Sequence, residues 1–195
     1  MRRLIAVLSL TLLAGCSQMQ PAPAVVPALN YQAYTAQMLA LSQWQLQGKV
    51  GIRTSQESNS AGFSWQQHAD RYDISFFGPF NAQAARLRGD SQRITLEADG
   101  ETYQADTPEA LLEDRLGWQL PVRELAWWVR GLPAPNIPYT KSIAEERLSE
   151  LNQRGWQIRY RRYSEDGLHP EKILLIREGL RITLVIHEWE KFLDN

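Results

Sequence analysis

Cysteine, histidine and the motifs of catalytic sites are scarce in this chain of 195 residues. Its one cysteine, Cys16, cannot form an intramolecular disulfide, and its three histidines, His68, His169 and His187, lack the spacing of metal ligands. The pattern Gly-x-Ser-x-Gly of a nucleophilic serine and the glycine-rich loop of a phosphate site are both missing. We therefore predict no catalytic residue, no metal site and no separately bound cofactor.

An excess of positive charge is also missing. The formal net charge is −1, and loss of a leader containing Arg2 and Arg3 would leave 19 basic against 22 acidic side chains, or −3. A nucleic-acid-binding domain needs a basic surface that neutralises phosphates, so this balance argues against nucleic acid as a partner. The acidic pair Glu145-Glu146 is interpreted as surface charge, because neighbours on a strand point to opposite faces.

The first 16 residues have the organisation of an export signal. Arg2 and Arg3 precede an apolar run over residues 4–13, which is too short to cross a bilayer, since a span needs roughly 20 apolar residues. The run ends in Leu13-Ala14-Gly15-Cys16, which resembles the lipobox of bacterial lipoproteins. This resemblance implies cleavage before Cys16 and acylation of that residue. The alternative is an unmodified thiol beside an ordinary cleavage site.

The chain divides into three parts by composition. Residues 1–15 are predicted to be the lipoprotein signal peptide, residues 16–29 the lipidated N-terminus with a Pro/Ala-rich linker, and residues 30–195 a single domain. The prolines of the linker keep it extended, so the domain can stand off the membrane. By the sorting rule of enterobacterial lipoproteins, Ser17 in place of an aspartate implies the outer membrane, with the domain on its periplasmic face.

Hydrophobic periodicity predicts a mostly β domain. Asn30 is a suitable N-cap for a helix over residues 31–42, after which apolar and polar residues alternate from Trp44 onward. A loop over residues 54–60 separates the first two strands, and further short strands follow up to Tyr103. This spacing is typical of antiparallel hairpins in a curved sheet.

Two short helices are predicted between the strands. Thr107-Pro108-Glu109 provides an N-cap, a proline at the first helical position and a first-turn acid, and Pro121 begins the second helix. Prolines over residues 133–138 indicate a stiff connection, and strands are predicted again from Trp156. The two helices must cover an open face of the sheet, because their apolar sides have nothing else to pack on.

Large apolar side chains are abundant, with seven Trp, seven Tyr and five Phe beside a charged fraction of only 22%. A curved sheet covered by helices can enclose an apolar cavity, although composition alone leaves a cavity and a filled core equally open. The candidates for the cavity wall, or for the core beneath it, are inward-facing residues of the strands and one residue of the second mid-chain helix. They are Leu46, Val50, Phe63, Trp65, Ile74, Phe76, Trp128, Ile182 and Leu184.

A set of short motifs occurs in a fixed order along the domain. They are Phe63-Ser64-Trp65-Gln66-Gln67, Gly78-Pro79, Leu120-Pro121, Trp128-Val129-Arg130-Gly131-Leu132-Pro133, Gly155-Trp156 with Tyr160, and Trp189. In order and spacing this set resembles the LolB family of outer-membrane lipoprotein receptors, over about residues 44–189. The resemblance implies an incomplete antiparallel β-barrel under a helical lid. It also implies an apolar cavity that takes the acyl chains of cargo lipoproteins from the periplasmic carrier LolA.

The same resemblance implies a loop that delivers cargo to the membrane. Family members carry an apolar side chain on a protruding loop, commonly within Pro-Leu-Gly, and the matching residues here are Pro79, Phe80 and Asn81. Phenylalanine keeps the apolar character, and asparagine can adopt the positive φ that glycine would supply. We expect Phe80 to be exposed at the tip of the loop. The alternative is that it packs back into the core.

These observations predict a monomeric binding and transfer protein, not an enzyme, that is lipid-anchored to the outer membrane through Cys16. Its partners would be LolA, cargo lipoproteins and outer-membrane lipid. No cofactor is expected. The only lipid groups would be the covalent acyl chains on Cys16 and the transient acyl chains of cargo. The main alternative is a structural or assembly accessory with a filled barrel. A lipid-modifying hydrolase has less support, because no nucleophile and base are paired.

Overall fold

The computed structural model of the chain describes residues 30–79, 83–90 and 92–192. Within them, three helices and eleven strands follow one another along the chain. In order they are α1 (Tyr31–Leu39), β1 (Gln43–Arg53), β2 (Ser58–His68), β3 (Arg71–Phe77), β4 (Gln83–Gly89), β5 (Ile94–Ala98), β6 (Glu101–Gln104), α2 (Pro108–Leu116), α3 (Val122–Trp128), β7 (Tyr139–Ala144), β8 (Arg147–Gln153), β9 (Trp156–Tyr163), β10 (Pro170–Arg177) and β11 (Leu180–Phe192). No helix in these ranges has the length and apolar character needed to cross a bilayer.

The eleven strands form a single antiparallel sheet in the order β6-β5-β4-β3-β2-β1-β11-β10-β9-β8-β7. The first and last strands of the chain, β1 and β11, pair in the middle, so β6 and β7 lie at the two ends of this order. The chain that joins these ends carries α2 and α3. The helices are therefore held between the two edges of the sheet, which confirms the predicted mostly β fold with two mid-chain helices.

The helices begin where the capping signals predict. The side-chain Oδ1 of Asn30 accepts a hydrogen bond from the Ala33 N–H at 2.8 Å, and Thr107 Oγ1 accepts one from the Ala110 N–H at 3.1 Å. Gly117 ends α2 with a φ of +67°, a conformation that glycine adopts without steric cost. The predicted end of α1 at residue 42 is wrong by three residues, because the chain must already be extended at Gln43 to enter β1.

The loop predicted over residues 54–60 is shorter than expected. Thr54 closes a tight turn, since its N–H donates to the Glu57 carbonyl at 2.9 Å and its Oγ1 accepts from the Glu57 N–H at 3.0 Å. Strand β2 already starts at Ser58 and pairs with the end of β1. Three polar, exposed residues can join the sheet because strand pairing uses backbone groups and requires no apolar side chain.

A hairpin of β7 and β8 stands where the sequence predicted only a connection. Its two-residue loop is Glu145-Glu146, with φ of +50° and +60°. Hairpin loops with positive φ at both central positions ordinarily contain asparagine, aspartate or glycine. Because two glutamates occupy these positions here, the sequence did not predict the turn. The interpretation of Glu145-Glu146 as strand neighbours is therefore wrong, although both side chains are exposed as expected.

The two central strands bend against each other at a β-bulge. The β1–β11 register shifts between Gln47 and Gly48, and a Cβ atom at Gly48 would collide with the carbonyl oxygen of Val185. A bulge increases the local twist and bends the strand. Gly48 thus permits the close backbone approach that curves the sheet around its apolar face.

Candidate functional site

The nine cavity candidates meet in one buried cluster on the inner face of the curved sheet. Strand register explains the meeting, since Trp65 lies opposite both Leu46 on β1 and Ile74 on β3, and Val50 lies opposite Leu184 on β11. The structure thus brings all nine together.

The candidates differ in how completely they are buried. Leu46, Trp128 and Ile182 have an exposed fraction of 0%, whereas Phe63, Trp65, Phe76 and Leu184 retain 4–5%. Val50 and Ile74 lie between these groups. All nine are therefore buried, and their exposed fractions differ by no more than 5%.

Helices α2 and α3 cover the two halves of this face. Helix α2 contributes the buried Leu111 and Leu112, and the Trp118 ring that follows it contacts Phe76 of β3 edge-on, with ring centroids 5.1 Å apart. Helix α3 contributes Trp128, whose ring packs against Trp156 of β9 at 6.4 Å. The pair therefore forms a lid that bridges the strands on both sides of β1 and β11, as the sequence predicted.

Gln153, a buried residue at the end of β8, forms hydrogen bonds with α3 and with the segment that follows it. It is 2% exposed, and its Oε1 accepts hydrogen bonds from Trp128 Nε1 and from the Ala134 N–H, both at 2.8 Å. Its Nε2 donates to the carbonyls of Ala134 at 2.8 Å and Ile137 at 3.1 Å. A buried amide with all four hydrogen bonds made stabilises one arrangement of α3 and the segment after it.

Two buried tyrosines hold the C-terminal end of α3. Tyr160 on β9 donates from its hydroxyl to the Trp128 carbonyl at 3.0 Å, and Tyr34 on α1 donates to the Arg130 carbonyl at 2.8 Å. The Tyr160 hydroxyl thus joins the Gly131 N–H as a donor to the last carbonyl of α3, and the Tyr34 hydroxyl binds the chain just beyond the helix. Burial raises the pKa of both tyrosines, which keeps the two hydroxyls protonated as donors.

Arg130, just beyond α3, ties the lid to α1. Its Nε donates to the Ala126 carbonyl at 3.0 Å, and its Nη1 donates to the carbonyls of Met38 at 3.1 Å and Leu41 at 3.4 Å. Its guanidinium carbon lies 4.6 Å from the centroid of the Trp127 ring. Burial lowers the pKa of Arg130 to about 10, so the side chain remains charged at neutral pH.

A pocket of about 460 Å³ lies beside α3, between this helix and the ends of β1 and β2. We call it the α3 pocket; its walls include Leu41, Trp44, Trp65, Tyr72, Val122 and Arg130. Trp44, Trp65 and Val122 are members of the buried cluster, while Asp70 and Arg123 at the same pocket are exposed. The α3 pocket therefore has an exposed rim and a wall formed in part by core side chains.

The remaining predicted site residues are Cys16, Pro79 and Phe80, of which only Pro79 is among the described residues. Cys16 and Phe80 fall outside the described residues, so acylation of Cys16 and exposure of Phe80 stay predictions. Pro79, which precedes Phe80, is exposed directly after β3, on the connection that leads to β4. Sequence reasoning assigned no role to Gln153, and it quoted Arg130 only as part of a motif.

Comparison with known proteins places this lidded sheet in a family. The family model described as "Outer membrane lipoprotein LolB" matches residues 42–189. The chain belongs to the outer membrane lipoprotein LolB family. It is 42% identical to the outer-membrane lipoprotein LolB of Pseudomonas aeruginosa strain LESB58 and to that of Stutzerimonas stutzeri strain A1501. Each alignment covers 97% of this chain and 96% of the relative.

The fold also has counterparts among solved structures. A LolA superfamily protein from Nitrosomonas europaea superposes with a TM-score of 0.53 at 10% identity, over 84% of this chain and 94% of that protein. At this identity the likeness concerns the fold alone. The sequence prediction of a LolB-family, outer-membrane lipoprotein with a LolA/LolB-like fold is thereby confirmed.

Proposed function

We propose that this protein receives the acyl chains of a lipoprotein in the apolar interior beneath α2 and α3, and then releases them into the outer membrane. The observation that carries the proposal is a lid between the two edges of the sheet, whose Trp128 joins eight apolar strand residues of the inner face in one buried cluster. Movement of such a lid would expose one continuous apolar surface. Transfer of acyl chains from one apolar environment to another breaks no covalent bond, so we propose neither catalysis nor a cofactor.

The same proposal assigns roles to the other parts of the chain. Residues 1–15 would direct export, acylated Cys16 with residues 17–29 would tether the protein to the outer membrane, and the domain that begins at residue 30 would bind cargo as a monomer. LolA would be the donor of cargo, and outer-membrane lipid the final environment of the acyl chains. The structural-accessory alternative is not favoured, since the family match covers most of the chain.

A two-step transfer assay tests the proposal directly. Labelled lipoprotein bound to LolA is mixed with this protein, and acceptance is scored by co-elution; outer-membrane vesicles are then added, and incorporation is scored by flotation. We expect acceptance in the first step and incorporation in the second. Failure to accept cargo by folded protein would contradict the proposed function and favour an accessory role.

Cys16→Ala, with an export signal retained, is expected to produce a soluble periplasmic protein that still accepts lipoprotein from LolA. The acyl chains of Cys16 serve only as an anchor in this proposal, and three chains exceed the two needed for stable attachment. Cell fractionation measures the change of location, and the first step of the transfer assay measures acceptance. Loss of acceptance by a folded soluble form would place the function in the anchor instead.

Leu184→Phe is expected to reduce cargo uptake severalfold with a loss of less than about 1 kcal/mol in the free energy of unfolding. Leu184 retains 5% exposure, so we propose that it borders the space that the acyl chains enter. A larger side chain there would occupy that space without displacing its packed neighbours. Urea unfolding and acceptance from LolA give the two measurements.

Ile182→Phe is the matched control, two residues earlier on the same face of β11. Ile182 is fully buried between Ile52 and Leu175, so overpacking there should cost about 1–3 kcal/mol, more than at Leu184. A large fall in stability for Leu184→Phe, with uptake intact, would show that Leu184 belongs to filled core and not to a cavity wall.

A further inference from the structure

Arg130 is a buried cation without a countercharge. It is 7% exposed, and none of the described carboxylates forms an ion pair with it. Buried charges are usually paired, because removal of an ion from water is costly. The carbonyls of Ala126, Met38 and Leu41 and the ring of Trp127 offset part of this cost.

The Nη2 group of Arg130 is available to a further hydrogen-bond acceptor. Arginine has five N–H donors, of which Nε and the two on Nη1 are directed at main-chain carbonyls. Among residues 30–79, 83–90 and 92–192, the hydrogen bonds of the Arg130 side chain come from Nε and Nη1, and Nη2 is not one of the fully buried polar atoms that lack a partner, so it is open to solvent. Arg130 lines the α3 pocket, where the buried hydroxyl of Tyr72 lacks a partner within the described part of the chain.

The other walls of the α3 pocket indicate the chemistry of its occupant. Trp44, Trp65 and Val122 are members of the buried cluster, so the pocket adjoins the interior in which the acyl chains are proposed to lie. Asp70 and Asp90 line the pocket together with Arg123 and Arg130, which balances its formal charge. An anionic headgroup would face two carboxylates, whereas a neutral acceptor such as an ester carbonyl would not be repelled.

We propose that Arg130 and the α3 pocket bind the ester-linked glyceryl junction of the cargo lipoprotein, with Nη2 donating to an ester carbonyl oxygen. This inference rests on the proposed function and specifies which part of the cargo is recognised outside the apolar interior. The binding of acyl chains alone depends on the apolar area that they bury. This area does not distinguish a lipoprotein from a fatty acid. A donor at the point where two chains join one glyceryl group would supply that distinction.

The test compares two fluorescent lipopeptides that differ only at the junction. One carries two ester-linked chains on its glyceryl-cysteine group, and the other carries two ether-linked chains of the same length and so lacks both carbonyls. Each is titrated into the Cys16→Ala protein, which otherwise retains the mature chain. We expect the parent to bind the diester about tenfold more tightly, as for a hydrogen bond from a charged donor.

Variants of Arg130 should remove this preference. Arg130→Met lacks every donor, and Arg130→Lys has one terminal nitrogen in place of Nη1 and Nη2, so it cannot reach both the Met38 and Leu41 carbonyls and a ligand. The diester-to-diether ratio should fall to about one in the first and below about threefold in the second. Because the ratio is taken within one protein, loss of part of the folded population does not change it. Arg162→Lys, a conservative change at an exposed arginine of β9 paired with Glu171, should keep the tenfold ratio.

Each other outcome has a definite meaning. Equal binding of the diester and the diether by the parent would overturn this inference and leave the proposed function standing, whereas binding of neither lipopeptide would contradict the proposed function itself. A tenfold ratio that persists in both Arg130 variants would remove Arg130 from recognition. Tighter, Arg130-dependent binding of phosphatidylglycerol than of the lipopeptide would assign the pocket to phospholipid and overturn its assignment to cargo.

Discussion

Gln153→Ala is expected to lower the free energy of unfolding by about 3–5 kcal/mol, a large effect for one substitution. The change leaves the buried Trp128 Nε1 and the Ala134 N–H without acceptors, and the carbonyls of Ala134 and Ile137 without donors. Each buried group left unpaired costs about 1–3 kcal/mol, and partial entry of water reduces the sum. Urea unfolding followed by tryptophan fluorescence measures the change.

Asn152→Ala provides the matched control at the preceding residue of β8. Asn152 is exposed, and its side chain donates only to Thr140 Oγ1 at 3.2 Å, so its loss should change stability by less than about 0.5 kcal/mol. Similar stability losses in the two variants would show that the hydrogen bonds of Gln153 do not hold the lid. A retained melting temperature for Gln153→Ala would lead to the same conclusion.

Phe80→Glu is expected to abolish delivery of cargo to the outer membrane while acceptance from LolA continues. In the hypothesis drawn from the LolB resemblance, Phe80 is the apolar group that engages the bilayer, and it takes no part in the interior that receives acyl chains. Insertion of one aromatic side chain is worth roughly 1.5–3 kcal/mol, enough to set how long a loaded receptor dwells at the membrane. The two-step transfer assay scores acceptance and incorporation separately.

Phe80→Leu should remain active in both steps, because leucine preserves an apolar side chain at the same position. Equal incorporation by Phe80→Glu and the parent would remove Phe80 from the mechanism. If Phe80→Glu does not fold, as judged by circular dichroism, then Phe80 belongs to the core and the exposed-loop hypothesis is wrong.

Local signals in the sequence were sufficient for the elements that border the site. Asn30 and Thr107 carry side-chain acceptors that satisfy helix N-termini whatever the rest of the chain does, so the starts of α1 and α2 were predictable. Strict alternation in β1 identified Leu46 and Val50 as inward-facing, because the period of a strand is two. The same rule placed Ile182 and Leu184 on the inner face of β11.

The hairpin of β7 and β8 shows where such signals end. Every residue of β7 is exposed, so no apolar pattern marks that strand. In β8, the pairing with β7 passes from Glu150 to Leu148 and skips Ser149, so that Leu148 and Leu151 both face inward although they are three residues apart. A bulge of this kind breaks the period of two on which sequence reasoning depends.

The sequence by itself was sufficient to predict the localisation of this protein, its family and its mostly β fold. These properties depend on short motifs and on periodicity along the chain. Only the tertiary structure decided the roles of Gln153 and Arg130. Polar side chains are ordinarily predicted to be exposed, and the burial of these two depends on hydrogen-bond partners that, apart from Ala126, lie 16 to 92 residues away in the chain. The pairing of β1 with β11 and the position of the lid bring these partners together. No local pattern in the sequence therefore predicts these contacts.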